Sequence, residues 1–336
     1  MNGPYNEPWV EEFIQQFGQT KSEDPPKFLN GKSLHLPDKL YRYREITQQN
    51  CDTLVGKWSD AIGKFWHVVW LSHPGKYDDP DSQMSFSKDT LQKRIFVNEC
   101  RLYLESVLGI DITQKKIYAL PEEDKGFYLN GLSEEVLKAA HEHGERDPQQ
   151  ILDLIKKESK TNEKMDAYKK SVQDRMYHRL AICCFTDDKH SDSLWAKFGN
   201  KNTGMCLEYD MRRCANFQIQ KSEMYPVYYS DIPIDLSDLL SSDFKRTYWN
   251  PRILRAILTK KTEFHAEREW RFVLSYFASE KGLTFPFLKP STIYLGSDVS
   301  CENQQKVHTI AKSLGIRIIQ LRKGDKPNTY SEVICD

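Results

Sequence analysis

Glu267 and Glu269 stand two residues apart, directly before the apolar run Trp270, Phe272, Val273 and Leu274. Two carboxylates at that spacing at the start of a strand project on one side, because side chains along a strand alternate faces. Such a pair can divide labour. One carboxylate can accept a substrate hydroxyl and stabilise a developing cation, while the other positions a nucleophile. A plainer reading of the same pattern is cross-strand ion pairing along an exposed strand.

A second set of chemistry-bearing residues lies early in the chain. Leu40-Tyr41-Arg42-Tyr43-Arg44 reads as a strand whose alternation puts Leu40, Arg42 and Arg44 on one face and two tyrosines on the other. The aromatic face calls for burial. The other presents two guanidinium forks suited to a diphosphate or carboxylate, or else two solvated arginines at a strand edge. Ser72 ends a strand expected at 67–72 and runs into the turn-rich His73-Pro74-Gly75-Lys76-Tyr77-Asp78-Asp79-Pro80, a place where ligands are commonly held.

Around these residues the pattern predicts an N-terminal accessory helix within residues 1–35 and a single α+β domain over 36–336, with a mixed, twisted sheet and a helical insertion at about 86–180. Ser133 is the expected N-cap of a helix in that insertion, with Gly144 as its stop, and Asp147-Pro148 opens the next. Strand character returns at 180–186, 203–209 and 225–229. Residues 250–264 carry a helical apolar stripe, and the chain closes with strand, helix and strand over 292–320.

The 48 basic and 48 acidic residues cancel, which leaves no global footprint for nucleic acid. No apolar run is long enough to span a membrane and no signal peptide is evident, so a cytoplasmic protein is expected. Eight cysteines without a C-x-x-C pair point to reduced, mostly buried thiols. His141 and His143, two apart, face different sides of a helix and suggest no metal site. Trp58, Trp66, Trp70, Trp195 and Trp270 fit a core better than a base-stacking platform.

Four blocks in this order resemble a bacterial family catalogued as a domain of unknown function, numbered 2971: residues 40–44; Trp70-Leu71-Ser72-His73-Pro74 with Tyr77-Asp78-Asp79-Pro80; Cys184-Phe185-Thr186 through Leu194-Trp195-Ala196-Lys197-Phe198 to Lys201 and Gly204–Asp210; and Lys260, Phe264, Glu267, Glu269-Trp270-Arg271. Phe264 replaces the usual tryptophan and Asp78 the usual asparagine. An early basic residue on a strand, then a strand serine, then a late Glu-x-Glu is also similar to ADP-ribosyltransferases, whose triads run Arg-Ser-Glu or His-Tyr-Glu. That resemblance implies an ADP-ribosyltransferase-like core. It implies NAD held by Arg44 or Arg42 with Tyr43 and Tyr77 beside it, Ser72 in the middle position, Glu269 as the catalytic carboxylate and Glu267 at the acceptor. The acceptor would be an unknown protein or nucleic acid, and the protein a toxin or antiphage effector. Two other readings stay open: a nucleotide-binding sensor of a defence system without turnover, and a metal-dependent nuclease gathering Mg²⁺ on Asp78, Asp79, Asp81, Glu267 and Glu269.

Overall fold

The structure, a computed structural model, describes residues 6–19, 32–59, 64–76, 84–109, 125–177, 180–215, 218–240, 251–275 and 282–335. The chain divides into two compact units, one made of 1–83, 177–234 and 248–336, the other of 84–176 and 235–247. The helical stretch expected at about 86–180 falls in the second unit. That unit also takes in 235–247, a segment about 60 residues further along the chain.

The first unit is built on an eight-stranded mixed, twisted sheet. Its strands are β1 (Lys39–Arg44), β2 (Leu180–Thr186), β3 (Met205–Asp210), β4 (Met224–Pro226), β5 (Glu269–Ser275), β6 (Thr292–Leu295), β7 (Arg317–Lys323) and β8 (Tyr330–Cys335). They lie in the order β4-β5-β2-β1-β3-β6-β7-β8. All neighbours are antiparallel except β6 and β7, which run parallel because the helix Cys301–Leu314 carries the chain across between them. Ser300 caps that helix by accepting from Asn303 N, and Gly315 ends it in the left-handed region at φ 60°, as its place in the sequence predicts. The last strand, β8, carries no strong alternation and goes unannounced in the sequence. Its backbone ladder to β7 holds it, together with Tyr330, whose hydroxyl donates to Asp192 and whose ring stacks on His190, and Glu332, which pairs with Lys189 (2.6 Å), while Val333 and Ile334 are left exposed.

Alternation along the central strands gives the sheet two apolar faces. Leu40, Ala181, Cys183, Phe185, Met205, Leu207, Trp270, Phe272, Ile293 and Leu295 form the larger core with Val69 and Leu71 of the strand Val68–Leu71. Tyr41, Tyr43, Leu194, Trp195, Cys206 and Tyr294 form the other. Both tyrosines of β1 are thus buried, as an aromatic face requires. Among these residues lies one buried carboxylate, Glu208 on β3. It accepts from Lys39 Nζ (3.1 Å), Ser291 Oγ (2.8 Å), Thr292 Oγ1 (3.3 Å) and Tyr294 OH (2.9 Å), so β1, β3 and β6 are tied at one end by a fully satisfied charge.

In the second unit, the helices Lys88–Leu108, Lys125–Glu142 and Pro148–Glu158 share a core of Phe96, Cys100, Leu104, Leu132, Val136, Ala139 and Leu152. The second of these helices runs straight through Ser133, so that residue is not an N-cap. The cap is kept at Asp147, which accepts from Gln150 N with Pro148 at the first helical position. Among the described residues no helix is long and apolar enough to cross a membrane. Five cysteines are buried (Cys51, Cys100, Cys183, Cys206 and Cys214), and all eight are free thiols.

The loop 199–204 joins the short helix Asp192–Lys197 to β3 and has almost no room. A Cβ on Gly204 would lie 2.4 Å from the Arg44 carbonyl oxygen and 2.7 Å from that of Gly199. Asn200, Lys201 and Asn202 all take left-handed φ angles. Gly204→Ala is therefore expected to cost about 2 kcal/mol, the usual scale for forcing atoms into a packed site. It should lower the urea midpoint with the slope unchanged. A midpoint equal to that of the native chain would contradict the close approach.

Candidate functional site

β1 and β2 are neighbours that pair at a single position, Tyr41 opposite Thr186. Beyond it they diverge, and β2 finds another partner: Ser72 N donates to Ile182 O (2.8 Å) and Ile182 N to Ser72 O (2.9 Å). The gap so opened is a cleft of about 310 Å³, near the lower end of the roughly 300–1,000 Å³ typical of ligand pockets. Four consecutive residues of β1, Tyr41 to Arg44, line it. Side chains of both sheet faces can do so only because the cleft reaches the edge of the strand.

Arg42 is 7% exposed. Its Nη2 donates to the Trp70 carbonyl (2.8 Å), and its guanidinium lies 5.9 Å from the Phe185 ring. Among the described residues no carboxylate comes within ion-pairing distance of it, an unusual state for a buried cation. Arg44 lines the same cleft and is half-buried. Of the two readings of this face, the solvated edge does not describe Arg42: Leu40, on the same face of the strand, belongs to the core, and the guanidinium is drawn in with it. Tyr43 lines the cleft, but its hydroxyl donates to Asp188 O (2.9 Å) and its ring meets Trp195 edge-on at 5.0 Å. Ser72 is at the cleft as the bridge residue between the strand Val68–Leu71 and β2, with no side-chain hydrogen bond among the described residues.

On the other side of β2, Glu269 opens β5 opposite Thr186, and Arg271 lies opposite Cys184. Glu267 and Glu269 converge, although not by strand alternation. Glu267 ends the 3₁₀ turn Thr262–Glu267, and Arg268 takes a left-handed φ of 46° before the strand begins. A lysine joins the two carboxylates. Lys260 Nζ donates to Glu267 Oε2 (2.5 Å) and to Glu269 Oε2 (2.8 Å). Arg271 grips Glu269 with Nε on Oε1 (2.7 Å) and Nη2 on Oε2 (3.3 Å), while its Nη1 donates to the Ile257 carbonyl. The plainer reading of this pair, ion pairing, therefore describes its resting state, but the partners are buried and come from β5 itself and from a short strand after the helix Pro251–Leu258, not from an exposed neighbour.

Burial alone would raise the pKa of Glu269. Arg271 and Lys260, aided by hydrogen bonds from Arg271 and Cys184, outweigh that and hold it well below the ordinary carboxylate range. Lys260 is likewise opposed by burial yet raised overall by the two glutamates. The Cys184 thiol, buried beside the Glu269 charge, is pushed well above its ordinary value, which fits an inert thiol and not a nucleophile.

Sequence reasoning missed much of this lining. Lys197, Phe198, Lys260, Phe264 and Arg271 all face the cleft together with Thr186. Their signal was available only as membership of the third and fourth blocks. Trp195, in the third block, is core and fully buried. Tyr77, expected beside the cofactor, lies outside the described residues, as do Asp78, Asp79 and Asp81 of the nuclease reading. Of that reading's carboxylates only Glu267 and Glu269 are described, and they pair with Lys260 and Arg271.

In comparisons with protein-family models, curated proteins and solved structures, nothing matches this chain.

Removing one member of a buried ion cluster strands the others, at a cost of about 3 kcal/mol. Glu269→Gln should lose that much at pH 7. Because the folded pKa of Glu269 is depressed, its stabilisation is complete above the unfolded value of about 4.3 and fades as pH falls below it. The gap between native and variant in urea titrations should hold from pH 7 to about 4.3 and then shrink by about 1.4 kcal/mol per pH unit. A gap constant down to about pH 3.5 would assign the loss to packing instead of charge.

Proposed function

We propose that the protein is an ADP-ribosyltransferase-like enzyme that cleaves NAD in the cleft between β1 and β2. The observation that carries the reading is the adjacency of β5, β2 and β1, which brings Glu267 and Glu269 to the same cleft as Arg42 and Arg44 across more than 220 positions of sequence. Arg42 and Arg44 are the groups to hold the diphosphate, since a planar guanidinium fork matches phosphate oxygens and Arg42 has no carboxylate partner among the described residues. Arg271 and Lys260 hold the Glu269 carboxyl well below the ordinary range, which favours its charged form. Glu269 would stabilise the oxocarbenium-like ribose formed as nicotinamide leaves and accept a ribose hydroxyl. The similarity to the family numbered 2971 belongs to the same proposal and rests on the four sequence blocks.

The middle position changes its meaning in this arrangement. Ser72 reaches the cleft from outside the main sheet, while β2, the strand between Arg42 and Glu269, presents Thr186. That hydroxyl is already an acceptor for Asp188 N (3.1 Å), so Ser72 keeps the role of substrate contact and Thr186 that of a turn anchor.

One observation favours a second reading, a nucleotide-binding sensor without turnover. Both oxygens of Glu269 are engaged by Lys260 and Arg271, so the carboxylate rests in an ion cluster with little acceptor capacity left for a substrate hydroxyl.

Purified protein incubated with NAD should release nicotinamide. Glu269→Gln, with its fold checked by circular dichroism, should slow release by about 10²–10³-fold, the scale for loss of an electrostatic stabiliser. Saturable NAD binding with no release by the native chain would replace the enzyme by the sensor. Release unaffected by Glu269→Gln would remove Glu269 from the chemistry.

A further inference from the structure

The mouth of the cleft carries groups that holding NAD does not require. Phe198, directly after the helix Asp192–Lys197, is 40% exposed although it lines the cleft. Phe264, in the 3₁₀ turn before β5, has two ammonium groups near its ring, Lys197 Nζ 5.5 Å and Lys260 Nζ 4.9 Å from its centre. Lys197 Nζ is also 4.9 Å from the centre of Phe198. Glu267, the carboxylate at this end, is bound by Lys260 and has Lys197 Nζ 3.9 Å away. A cationic acceptor such as an arginine side chain would find its carboxylate already spent. It would also enter a cleft lined by Arg42, Arg44, Lys197, Lys260 and Arg271 against two glutamates only. An acidic protein side chain would suit the charge but leave both rings idle.

Resting on the NAD reading above, we propose that the acceptor is a base of single-stranded nucleic acid, stacked on Phe198 and Phe264 with its flanking phosphates against Lys197. Aromatic rings with interleaved lysines are the means by which proteins hold unpaired strands, since every base offers a π-face and every nucleotide a charge. A duplex keeps its bases stacked inside and offers one to these rings only at the cost of unpairing and unstacking it. In the transfer, the bond from ribose C1′ to the nicotinamide nitrogen breaks and its electron pair neutralises the pyridinium ring. A nitrogen lone pair of the base forms the new bond to C1′, and the proton it sheds passes to water. The positive character is local, because the whole chain is neutral.

Fluorescence anisotropy on the full chain with labelled DNA and RNA strands of about 12 nucleotides tests the surface without NAD. The expected result is binding to single strands that exceeds binding to the matching duplex, weakens as salt rises from roughly 50 to 200 mM, and falls about tenfold in Phe198→Ala and in the milder Phe264→Leu. Equal binding by native and both variants, or none by the native chain, overturns the proposal. A parallel incubation with NAD labelled in its adenylate separates the two readings. Label appearing on the oligonucleotide supports both. Label on added protein without oligonucleotide binding overturns the acceptor and leaves NAD cleavage standing. Oligonucleotide binding without nicotinamide release overturns NAD cleavage and leaves the nucleic-acid surface.

Discussion

The pairing of β1 with β2 stops after Tyr41 and Thr186, and the site depends on that interruption. A continuous ladder would place Arg42 and Glu269 on opposite faces of a closed sheet, two strands apart. With the ladder open, the edge of β1 becomes a wall, residues of both its faces meet the same space, and β2 is completed by Ser72 instead. The remainder of the sheet tolerates the gap because β1 is fully paired on its other side with β3, from Lys39 opposite Asp210 to Arg44 opposite Met205. Glu208 ties that half together with four donors, and the bidentate hold of Arg271 on Glu269 fixes the facing half.

Charge is distributed unequally around this gap. On the β5 side, burial of Glu269 is offset by Lys260, which it shares with Glu267, and by Arg271, a dense cluster that favours the charged carboxylate. On the β1 side, Arg42 is buried with a carbonyl and an aromatic ring as its neighbours. An anionic ligand that met the guanidiniums of β1 would supply the counter-charge this side lacks.

The segment between β2 and β3 explains why a cramped loop is worth its strain. Gly199 packs against Trp195, Gly204 against the Arg44 carbonyl and Gly296 against the Asn202 carbonyl, so the turn sits on the cleft wall with no space for a side chain at those points. Three successive left-handed residues reverse the chain in that space. The result is that Lys197 and Phe198 are held at the cleft mouth by a scaffold of backbone contacts, where a longer loop would leave them to wander.

Much of the sheet was legible in the sequence because strand alternation is a local property. β2 was expected at the residues it occupies, the tyrosine face of β1 is buried as its aromatic character demands, and the closing strand-helix-strand unit runs parallel about a capped helix. Candidates for the site were legible as well: Arg42, Arg44, Ser72, Glu267 and Glu269 stand out by residue type and spacing, and they line one cleft. Lys260, Lys197 and Arg271 did not stand out, since a lysine or arginine near an apolar run looks in sequence like any solvated charge, and only the convergence of strands distant in the chain buries it against two carboxylates. The sequence by itself determined which segments could be strands and which residues could do chemistry, because both follow from side-chain type and from a period of two. Where β1 would leave β2, and hence which charges would meet across the gap, was decided by tertiary structure, because a ladder's end is set by what else competes for the strand's edge, and that competitor, Ser72, lies more than 100 residues from its partner Ile182.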